Sequence, residues 1–83
     1  MSAVEQLVLL TTATVDVERM GGVVVATHLD EIGRGVVMAT LPKGWAVARF
    51  GGGPGLHCVV EGLTRAEAAK LFVEWSGLVG EAP

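Results

Sequence analysis

Two short runs, Val23 to Thr27 (VVVAT) and Val36 to Thr40 (VVMAT), are apolar without the polar alternation of a half-exposed strand. Successive side chains on a strand point to opposite faces, so such runs ask for cover on both sides of a sheet. Gly21-Gly22 precedes the first run, and DEIGRG separates the two with the loop residues Asp30, Gly33 and Gly35. The pattern predicts strands over 23–29 and 35–41, too close in sequence for a parallel crossover and therefore paired as an antiparallel hairpin. Pro42 and Gly44 break the chain before a further strand, Trp45 to Phe50. GGGPG at 51–55 reads as the tip of a second hairpin, returning as Leu56 to Val60.

Helical spacing takes over at Thr64, where Glu67 stands three residues on, as a capping box requires. Ala68, Leu71, Phe72, Trp75, Leu78 and Val79 form one apolar stripe opposite Glu67, Lys70 and Glu74, and Gly77 or Gly80 ends the helix. At the other end, residues 6–17 place Leu7, Leu9, Ala13, Val15 and Val17 on odd positions, with Thr12, Thr14 and Asp16 between them. This period of two, rich in β-branched residues, predicts a strand. Ser2 and Glu5 have capping-box spacing and offer the rival reading, a short helix through Leu10.

The expected fold class is therefore α+β: an antiparallel sheet of four to five strands with one C-terminal helix packed on one face, in a single small domain over 1–83. One helix covers one face. The N-terminal segment, a second copy of the chain or a protein partner must cover the other.

Composition narrows the function classes. The chain has 83 residues, is 51% hydrophobic and carries a net charge of -3. Its six basic residues are scattered, which argues against direct nucleic-acid binding. A single cysteine precludes an intrachain disulfide and fits a reducing compartment. The start lacks the basic region of a signal peptide, and no run approaches the roughly 18 apolar residues of a membrane span. The expectation is a cytoplasmic protein that does not engage a membrane.

Candidate chemistry is sparse. GGGPG lacks the helix that a phosphate-binding loop needs behind it. His28, His57 and Cys58 are the residues suited to nucleophilic or metal chemistry, but neighbours on a strand point apart, and structural zinc wants four ligands. Cys58 fits better as a small buried hydrophobe. Trp75 belongs to the helix stripe, and Trp45 suits core or interface equally. LPKGW (41–45) with VEW (73–75) resembles segments of the MbtH-like accessory proteins of nonribosomal peptide synthetases. The motifs flanking those segments in that family are absent here, so no function is carried across.

The sequence thus points to a non-enzymatic protein-binding domain, without cofactor, metal or catalytic residues, able to form a homodimer. Asp30, Glu31, Arg34, Trp45, Gly52 and Gly53 are its expected contact residues. Its small, acidic, motif-poor character suits a phage- or mobile-element-type inhibitor of a host or defence complex, of the anti-CRISPR kind. The alternative is a small ligand- or metal-binding module, or an enzyme, using His28, His57 and Cys58.

Overall fold

The computed structural model describes residues 2–53 and 55–77. Helix α1 (Ala3–Arg19) leads into four strands, β1 (Val23–Leu29), β2 (Gly35–Leu41), β3 (Gly44–Phe50) and β4 (Leu56–Leu63), and helix α2 (Arg65–Ser76) follows. The strands form one antiparallel meander in the order β1-β2-β3-β4. The α+β class is as expected, with four strands.

The N-terminal segment is the main correction: a 17-residue helix stands where the odd-position pattern predicts a strand. Leu9, Ala13 and Val17 recur every fourth residue with Leu10 beside them, and these face the core. Ser2 starts the helix with a complete capping box, its Oγ accepting from the Glu5 amide (3.2 Å) while Glu5 accepts from the Ser2 amide (3.3 Å). The threonines are accommodated because Thr12 and Thr14 donate their hydroxyls to the Val8 and Leu10 carbonyls, at 2.8 and 2.9 Å.

Helix α2 matches its sequence signature. Thr64 and Glu67 form a second capping box, and Gly77 ends the helix in the left-handed conformation. Ala68, Leu71, Phe72 and Trp75 pack inward; Leu78 and Val79 lie outside the described residues.

Alternation along the strands divides the core into two clusters, one on each face of the sheet. Val37, Ala39, Ala48 and Phe50 pack with Ala13 and Val17 of α1. Val36 and Val47 pack with Ala68 of α2, flanked by Met38, Trp45 and Leu63. The chain therefore supplies its own cover for both faces over β2 and β3, and the run at 36–40 is sandwiched as expected. The run at 23–27 is not: β1 is an edge strand, and Val23 and Val25 are 66% and 50% exposed.

Both edges are irregular. Val25 has no partner in the β1–β2 register, and β4 slips twice against β3, around Cys58 and Gly62. Cys58 (φ +51) and Gly62 (φ +72) hold positive φ at those slips. Bulges of this kind twist an edge away from further pairing.

Candidate functional site

The register aligns one residue from each strand. His28 pairs with Val36, Val36 with Arg49, and Arg49 with His57. Val36 faces α2, so the whole row crosses the sheet on that side. Helix α2 ends above it, with the Arg49 guanidinium 4.5 Å from the centroid of the Trp75 ring.

Two hairpin loops close the end of the row. In the β1–β2 loop, Asp30 Oδ1 accepts from the amides of Ile32 (3.0 Å) and Arg34 (2.8 Å), and the Asp30 amide donates to the Arg34 carbonyl (2.9 Å). The bond from the Arg34 amide is the chief reason that the Asp30 carboxyl lies below the ordinary carboxylate range; desolvation opposes it in part. The Arg34 Nε stands 3.9 Å from Asp30 Oδ2. In the β3–β4 loop, His57 Nε2 lies 3.2 Å from the Gly51 carbonyl and, as the protonated nitrogen, donates to it. Gly51 in turn packs against the Gly33 carbonyl, so the two loops touch.

The result is a cleft of about 260 Å³ between the last turn of α2 and the two loops. His28, Arg34, Arg49, His57 and Trp75 line it, with the backbone of Gly51 and Gly52 as its floor on the loop side. Asp30 is its one carboxylate and is already engaged by backbone amides.

The structure thus gathers residues that the sequence offers as separate groups. Asp30, Arg34 and Gly52 from the expected contact surface meet His28 and His57 from the ligand alternative; Glu31 and Gly53 sit exposed on the same loops. Trp45 stays apart, half-buried against α2 at the opposite end of β3. Cys58 is exposed rather than buried, because it occupies a bulge of an edge strand. No group of three or more His, Cys, Asp or Glu side chains gathers for a metal ion among the described residues.

A second feature lies on the outer face of α1. Val4, Leu7 and Val8 are 71%, 65% and 58% exposed, and Val15 continues the stripe. Thr11 is the polar residue within it, and charge returns at Glu18 and Arg19. No helix among the described residues is long and apolar enough to cross a membrane. Sequence reading missed this face because it placed Leu7, Val8 and Val15 within a strand over 6–17. It missed Arg49 by counting it among scattered charges, and the chance to find it lay in its strand position, one before Phe50.

Comparison of the chain with protein-family models, with curated proteins and with solved structures finds no match.

Proposed function

We propose that the protein is a non-enzymatic protein-binding domain that docks through the outer face of α1. The observation that carries this reading is the exposure of Val4, Leu7 and Val8 on consecutive turns of one helix. Contiguous exposed aliphatic surface on a small domain marks interaction sites, and a helix face with anchors at i, i+3 and i+4 is a recurring recognition element. The apolar surplus evident in the sequence is thus moved outward by one layer: α1 covers the sheet and presents the remainder on its far side. Bulges at both sheet edges argue against strand addition as the docking mode. Small size and acidic charge favour an inhibitor of a larger host or defence complex within this reading.

The test compares the full chain with the Leu7→Glu/Val8→Glu variant by native mass and by tagged capture from cell lysate. Both positions face solvent, so the variant keeps its circular dichroism spectrum. Expected is a stoichiometric partner, or a dimer, with the wild type and its loss in the variant. A monomeric wild type with nothing captured, or association untouched by both substitutions, would overturn the proposal.

A further inference from the structure

The cleft at the end of the sheet carries a separate inference. It collects both histidines of the chain and two of its six basic residues, although the net charge of the whole is -3. Two arginines against one aspartate leave the lining net positive, with the imidazoles of His28 and His57 beside them. Asp30 accepts from the amides of Ile32 and Arg34 through Oδ1 and faces the Arg34 Nε at 3.9 Å through Oδ2, so Arg49 is the cation in excess. Arg49 has neither an ion-pair nor a hydrogen-bond partner among the described residues, and its guanidinium lies against the Trp75 ring. The His28 ring likewise has no hydrogen-bond partner among them.

Guanidinium groups present paired N–H donors in a planar fork that fits carboxylate and phosphoryl oxygens. From this juxtaposition we propose that the cleft binds the oxyanion group, carboxylate or phosphoryl, of a small molecule, with Arg49 as the principal donor and Arg34, His28 and His57 around it. At about 260 Å³ the cleft lies just below the size of ordinary ligand pockets, so the ligand is one anionic group on a small frame. A cation near the last turn of α2 also complements the helix dipole. That role needs Arg49 alone and does not account for His28, which lines the same cleft with no hydrogen-bond partner among the described residues.

The test is an NMR titration of the full chain with sodium phosphate and, separately, with sodium acetate, against sodium chloride at matched ionic strength. The signals read are the His28 and His57 imidazoles and the Trp75 indole N–H. Saturable shifts with phosphate alone identify a phosphoryl ligand, and with acetate alone a carboxylate. Loss of one charge-assisted contact in Arg49→Gln weakens either by about tenfold. Arg34→Gln, a change at an exposed side chain that leaves the core untouched, weakens it too, whereas Arg19→Gln does not. Shifts no larger than those in chloride, or shifts insensitive to both cleft substitutions, overturn the proposal.

Discussion

Gly51 holds φ at +95°, a region that side chains with a Cβ rarely enter, and the Gly33 carbonyl fills the place where a Cβ would go. An alanine there must strain its backbone and push the two loops apart. Gly51→Ala is expected to cost at least about 1–3 kcal/mol, read as a lower urea midpoint. Gly53 meets nothing within 4 Å at its Cβ position, so Gly53→Ala should leave the midpoint unchanged. Cys58 shows the opposite situation, a residue with a Cβ at φ +51. It occupies an exposed position where the edge strand slips.

Among the elements, the strands were the most legible in sequence, because turn residues punctuate them: Gly21-Gly22, Asp30 to Gly33, Pro42, and the 51–55 tip. Strands β1 and β2 fall where the pattern places them, while β4 runs past Val60 to Leu63 through a bulge at Gly62, a glycine that reads equally well as the end of the strand. Helix α1 was misread because Leu9, Ala13 and Val17 satisfy both an odd-position rule and an i, i+4 rule. Capping and packing decided for the helix over the β-preference of Thr and Val. The cleft was legible as residue types but not as a site, since only the register puts His28, Arg49 and His57 in one row.

The capping boxes carry a prediction of their own. Side-chain and backbone hydrogen bonds from Ser2 lower the Glu5 carboxyl, and those from Thr64, the backbone amide first, lower Glu67. A carboxyl with a depressed folded pKa contributes stability that is present above its unfolded value and lost as pH falls through its folded value. Urea midpoints of the wild type should therefore fall on acidification below the ordinary glutamate range. The Glu5→Gln/Glu67→Gln variant should start lower at pH 7 and show a shallower acid limb. An unchanged limb would mean that neither box contributes.

In the molecule as a whole, two helices on opposite faces let a short chain bury strands on both sides without a second copy. The helices are not equivalent in what they leave outside. Ala68 of α2 is sealed against the sheet near the start of its helix. In α1 the sealed residues, Ala13 and Val17, come late, while Val4, Leu7 and Val8 in the first two turns stand in water. Uneven anchoring along a single helix has a consequence in time. Amides ahead of Leu9 should exchange with solvent through local fraying, and those near Val17 should wait for opening of the whole fold. Hydrogen exchange followed residue by residue should therefore show protection rising along α1. A protein docked on the outer face would slow the fast end and level that gradient.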